Sequence, residues 1–139
     1  DVFSPLAARL ARGESPEEFG EQLIKTDLKG VLWEEPFIKE GSIFGEIIYI
    51  DKFGTACFNL KESEVIKLGF KAGGYINLFI KKKKKRVKYE KIFSSVSPGR
   101  TLLFIDSSGY LALGVNKGSA LKEFGLKVGE KVVFKQNEV

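Results

Sequence analysis

The sequence predicts a mainly β domain, an antiparallel β-barrel of about seven short strands, preceded by two short helices. Three observations carry this. From residue 42 onward, short runs rich in Ile, Val, Phe and Tyr recur between turns containing Gly, Pro or Ser. The helical segments among them are too short to cover a parallel sheet. A closed sheet also leaves no strand edge open to association. A compact sandwich is the alternative for residues 42–136.

Taken in order, Ser4-Pro5 reads as a helix start, with a hydroxyl at the N-cap and proline at the first helical position. Leu6 and Leu10 follow at helical spacing, and Gly13 is a stop. Ser15-Pro16-Glu17-Glu18 reads as a second start with capping-box spacing. From Thr26 to Gly41 the pattern loses its period, and Trp33, Pro36 and Phe37 read as an extended connector. The expected division is therefore 1–41, helices and connector, and 42–139, barrel.

Within the barrel, residues 42–50 and 55–60 read as a hairpin about the turn Asp51-Lys52-Phe53-Gly54. Residues 61–68 read as a short helix stopping at Gly69, and 75–82 and 87–93 as strands. The second would put Val87, Tyr89, Lys91 and Phe93 on one side, with the lysine run as the turn between. Residues 101–105 and 110–115 are strands about Asp106-Ser107-Ser108-Gly109. A brief helix over 118–125 and a last strand over 131–135 complete the chain.

Composition narrows the chemistry. The chain has no His, so a Ser/His or Cys/His mechanism cannot operate within it, and zinc ligation has little to work with. The single Cys57 excludes an internal disulfide, fits a reducing, cytoplasmic setting, and sits in an apolar run as a small buried hydrophobe. No apolar run approaches the roughly eighteen residues of a membrane span. With no Met even at residue 1, the chain reads as a segment of a longer protein. The net charge of +5 is concentrated in residues 81–86, six successive cations. Such a run can face phosphates, or it can be a solvated hairpin tip that blocks edge pairing. Surfaces rich in Lys and Glu also suit heat-adapted proteins.

The two Asp-containing turns are the places where a small polar ligand could be held. Asp51 either bonds its own turn amides or accepts from an ammonium group. Ser107 and Ser108 offer two hydroxyls and free amides for a carboxylate or phosphate. Asn116 can read a nucleobase edge or cap the following helix. Phe93 can stack on a base, although periodicity alone favours a core position.

The stretches Val2-Phe3-Ser4-Pro5-Leu6-Ala7-Ala8 (after Asp1), Ile50-Asp51-Lys52-Phe53-Gly54, Phe93-Ser94-Ser95-Val96-Ser97-Pro98-Gly99 and Ser107 to Asn116 resemble, in order and spacing, the C-terminal portion of the S-adenosylmethionine hydroxide adenosyltransferases. These are relatives of the fluorinase and chlorinase enzymes. The resemblance implies that the opening helices are left from an N-terminal α/β domain absent from this chain. It also implies a homotrimer whose site is shared between one subunit's N-terminal domain and its neighbour's barrel. Asp51 would bind the methionine ammonium, with Ser107 and Ser108 near the amino and carboxylate groups. Phe93 would pack on adenine, and the segment Val115-Asn116-Lys117 would read its edge, with Thr55 where the family usually has an adenine-contacting Asn. Phe58 stands where Thr is usual, and Ser95 where Asp is frequent. Ser108 stands where the halogenases carry Arg, which points to the hydroxide branch. The implied reaction is attack of water or hydroxide at C5′ of S-adenosylmethionine, giving adenosine and methionine without a cofactor. The groups that activate water belong to the absent domain, so the segment alone is expected to be inactive. The rivals are a small basic barrel binding RNA or single-stranded DNA, and an oligomerisation module.

Overall fold

A computed structural model describes residues 2–30 and 33–136. Asp1, two connector positions at 31–32 and the tail at 137–139 lie outside the described residues. The chain divides into two compact units, 1–32 and 33–139.

The first unit holds one α-helix, α1 (Phe3–Ala11), and two 3-10 turns, Pro16–Glu18 and Lys25–Asp27. The helix starts one residue before the expected Ser4 cap, with Val2 at the N-cap and no side-chain cap bond. The second expected helix is only a turn. Ser15 donates its hydroxyl to the Glu17 carboxylate instead of capping, and Gly20 follows Phe19 directly. That hydrogen bond also holds the Glu17 carboxyl below its ordinary range. Arg9 bonds Glu14 at 2.6 Å and lies over the Phe19 ring at 4.4 Å, fastening the helix to the turn.

The second unit is a mixed β-barrel. Its strands are β1 (Phe37–Lys39), β2 (Ser42–Ile50), β3 (Ala56–Lys61), β4 (Tyr75–Ile80), β5 (Lys83–Tyr89), β6 (Thr101–Ile105), β7 (Tyr110–Val115) and β8 (Lys131–Gln136). Seven of them close in the order β2-β3-β7-β6-β5-β4-β8, with β8 returning to β2, while β1 adds to the free edge of β2. Every pairing is antiparallel except β5 with β6, which run parallel through Lys88↔Leu102 and Tyr89↔Leu103. The purely antiparallel expectation is corrected here. The segment between β5 and β6 crosses over before re-entering the sheet, instead of turning back as a hairpin. Two short helices, α2 (Glu62–Lys67) and α3 (Ala120–Phe124), sit in the connections. Among the described residues no helix is long and apolar enough to cross a membrane.

The interior is filled by alternate side chains, Ile43, Phe58, Leu60, Leu78, Leu113 and Phe134 among them, all fully buried. Phe58 and Phe134 meet edge to face with centroids 5.0 Å apart. Two element boundaries differ from expectation in ways that matter for the site. β5 begins at Lys83, because residues 83–86 pair in register with β4, and it ends at Tyr89. Only Lys81 and Lys82 form the turn, both with positive φ. Phe93 therefore leaves the strand, and Phe93–Ser95 is a 3-10 turn on the outside. β1 lies inside the expected connector, fixed by pairing Phe37 with Phe44, whose rings stack at 4.7 Å.

Candidate functional site

The two Asp turns have the same internal construction. In the first, Asp51 Oδ1 accepts from the amides of Phe53 and Thr55 at 2.9 and 2.8 Å. In the second, Asp106 Oδ1 accepts from Ser108 and Tyr110 at 2.9 and 3.0 Å. Each Asp amide bonds the carbonyl four residues on, and each glycine amide bonds the Asp carbonyl. Gly54 and Gly109 take φ of +84° and +82°, which a side chain would strain. The sequence Asp-x-x-Gly specifies this turn twice.

Both turns border one cavity of about 1020 Å³ on the outer face of the barrel. Of the eight expected ligand residues, Asp51, Thr55, Phe93, Ser107, Ser108, Val115 and Lys117 line it. Asn116 does not. Its amide donates to the Val96 carbonyl at 2.6 Å, and its backbone bonds Gly99 and Arg100. It ties the 96–100 segment to the end of β7, and Ser119, not Asn116, caps α3. Phe93 reaches the cavity because β7 carries Gly114, where a Cβ would meet the ring at 2.7 Å. The ring packs against Phe104 with centroids 4.7 Å apart. Periodicity through Lys91 placed Phe93 in the core, but the chain leaves the sheet before reaching it.

The lining residues that the sequence did not assign to the site include Cys57, Phe104 and Asp106. Asp106 was visible in principle, since it occupies the position of Asp51 in the repeated turn. Cys57 was read as a buried hydrophobe, yet it is only half-buried and donates its thiol to Asp106 Oδ2 at 3.2 Å. Burial pushes the thiol up to about 12, helped by the hydrogen bond to Asp106 and the charges of Asp106 and Asp51. The two carboxylates thus differ. Asp106 has both oxygens engaged, whereas Asp51 Oδ2 accepts no hydrogen bond among the described residues. The Ser107 and Ser108 hydroxyls are likewise unengaged among the described residues. One open carboxylate oxygen, two open hydroxyls and an aromatic ring share one apolar-walled concavity, an arrangement suited to a zwitterion joined to a flat ring system.

Residues 45–133, most of the barrel, match the SAM hydroxide adenosyltransferase C-terminal domain. The chain belongs to this family. It is 33% identical to the (R)-S-adenosyl-L-methionine hydrolase of Thermus thermophilus over 132 residues, covering 95% of this chain and 46% of the relative. It resembles the crystal structure of an uncharacterized conserved protein from Thermotoga maritima with a TM-score of 0.78 and 26% identity, over 98% of this chain and 51% of the other. A conserved hypothetical protein from Thermus thermophilus follows at a TM-score of 0.61 and 30% identity, over 96% and 51% of the two chains. The chain spans about half the length of these relatives.

Membership in this S-adenosylmethionine-processing enzyme family does not favour the nucleic-acid reading, and neither does the lysine run. Lys81 bonds the Gly125 carbonyl and lies 3.0 Å from Glu130. Lys85 bonds Glu123 and lies over Phe124, while Lys84 and Arg86 lie over Phe79 and Tyr75. Before Lys88, the side of β5 away from β4 has no strand partner among the described residues, so the cations there also discourage edge pairing.

Proposed function

We propose that this chain is the substrate-binding half of an S-adenosylmethionine hydrolase that forms adenosine. What carries the reading is the open Oδ2 of Asp51, in a cavity that also holds the Ser107 and Ser108 hydroxyls and the Phe93 ring. Asp51 accepts from the methionine ammonium, the serine hydroxyls donate to its carboxylate, and Phe93 packs on adenine. Thr55, Val115 and Lys117 border the nucleoside. The substrate is taken from the Thermus thermophilus relative, a hydrolase named for (R)-S-adenosyl-L-methionine.

In the reaction a water or hydroxide oxygen bonds to C5′ as the C5′–S bond breaks. The bonding pair goes to sulfur, so the sulfonium becomes the thioether of methionine, and a proton leaves the attacking water. A sulfonium carries its own leaving group. Rigid alignment and a dry approach to C5′ therefore supply much of the acceleration. This chain holds the substrate, while the water-activating groups come from an N-terminal domain, in a trimer where a neighbouring subunit closes the cavity. The segment alone binds weakly and does not turn over, and the reaction needs no cofactor.

Titration of S-adenosylmethionine into the full-length parent tests this. Asp51→Asn keeps the turn-bonding oxygen and replaces the open one, so it should weaken binding at least about tenfold without changing the fold by circular dichroism. Ser107→Ala should weaken it severalfold. Binding unchanged in both variants would overturn the assignment.

A further inference from the structure

The parallel contact between β5 and β6 is short, and the two strands part on one side of it. A second concavity, of about 550 Å³, opens there between Lys85 and Arg86 on one wall and Arg100 and Thr101 on the other. It shares no lining residue with the cavity around Asp51. Its charge is unusual. Lys85, Arg86, Lys88 and Arg100 line it, against one lining carboxylate, Glu123.

The ion pairs sort these cations. Glu123 accepts from Lys85 and from the Thr101 hydroxyl, and Glu90 lies 2.5 Å from Lys88. That leaves two lining guanidiniums, Arg86 and Arg100, without a carboxylate partner among the described residues. Arg86 rests its flat face 4.3 Å from the centre of the Tyr75 ring, which leaves its N–H edge available. Arg100 is exposed, and its side chain has no bonding partner among the described residues. The Ser95 and Ser97 hydroxyls, also lining the cleft, are equally unengaged among the described residues.

We propose that this cleft binds the phosphate group of a small anionic molecule, held by Arg86 and Arg100 with Ser95 and Ser97 donating. Two uncompensated guanidiniums match the charge of about −2 on a phosphate monoester at neutral pH. Their planar forks suit a tetrahedral oxyanion, and the hydroxyls supply neutral donors to the remaining oxygens. A small anion fits better than a nucleic acid strand. A strand needs cations spaced along an open stripe, whereas Lys81, Lys84 and Lys85 are engaged with protein groups, Lys82 and Lys83 lie outside the cleft, and Arg86 and Arg100 face one hollow.

The test is calorimetric titration of inorganic pyrophosphate into the full chain at low ionic strength. Binding should weaken by about tenfold in Arg100→Ala and in Arg86→Ala, with Arg100→Lys retaining part of it. Both side chains are exposed, so the fold should survive either change. Glu123→Gln should tighten binding by removing the competing carboxylate. Absence of heat at millimolar pyrophosphate would overturn the proposal. So would a loss confined to Lys117→Ala, which would put the anion in the other cavity. Tighter binding of a single-stranded thymidine oligonucleotide that ignores Arg100→Ala would overturn it in favour of nucleic acid.

Discussion

Asp51 and Asp106 sit in matched turns, yet a single thiol leaves them with different spare chemistry. Cys57 donates to one carboxylate and lies within the field of both. Because the thiolate is the reactive form and ordinary thiols ionise near pH 8.5, the elevated value of about 12 makes Cys57 inert. Iodoacetamide labelling at pH 8.5 should run on the order of a thousandfold slower than in the unfolded chain. A rate near that of a free thiol would show that the contact with Asp106 is absent in solution. The linkage has a definite sign. A group whose folded value is raised contributes stability that is complete below its unfolded value of about 8.5 and is lost as pH climbs toward 12. Cys57→Ala should therefore lessen the decline of stability across that window. At this scale the sequence was legible where local chemistry decides, as in the Asp-x-x-Gly turns. It was not legible for Phe93 or Cys57. Their surroundings come from Gly114 and Asp106, far along the chain.

Individual elements show the same division between local and distant causes. The β4–β5 turn places Lys81 and Lys82 at φ of +49° and +62°, a region where Asn and Gly are favoured. Lys82 has no side-chain partner among the described residues, so Lys82→Gly should relieve strain and raise stability by up to about 1 kcal/mol, read from urea unfolding. An unchanged midpoint would mean that the turn is unstrained. The strand status of 83–86 was invisible in the sequence because lysine has low strand propensity, and pairing with the apolar β4 overrides it. β1 was missed for a related reason. Three residues carry no readable period, and their placement depends on a polar staple. Asn59, nearly buried, accepts from the Glu46 amide at 2.8 Å and donates to the Glu34 carbonyl at 2.6 Å. Lys131 lies 2.5 Å from Glu34 and 2.8 Å from Glu46, and those two carboxylates raise its ammonium above the ordinary value. Asn59→Ala removes the partners of two backbone groups and should cost about 2–4 kcal/mol in chemical denaturation. A loss well under 1 kcal/mol would show that water replaces the amide.

For the whole molecule, alternation and turn spacing were enough to predict a closed β architecture, because closure follows from having many short strands and few helices. The direction of one pairing could not be read. It depends on the path of residues 90–100, whose backbone is fastened by Asn116 from another part of the chain. The same crossover carries Phe93 into one concavity and Arg100 into the next, so a single excursion of the chain serves both.

The brevity of the parallel contact also has a mechanical meaning. A ring of seven staves is no stronger than its weakest joint, and β5 meets β6 through only two registered pairs, while β4 meets β5 through six. Opening the cask at that joint disturbs the fewest ladder bonds. Amide deuterium uptake should therefore reach Glu90, whose N–H bonds the Leu103 carbonyl at 2.9 Å, before it reaches Ile47 or the amides between β2 and β8. Equal protection on both sides of the ring would mean that the barrel opens as one unit.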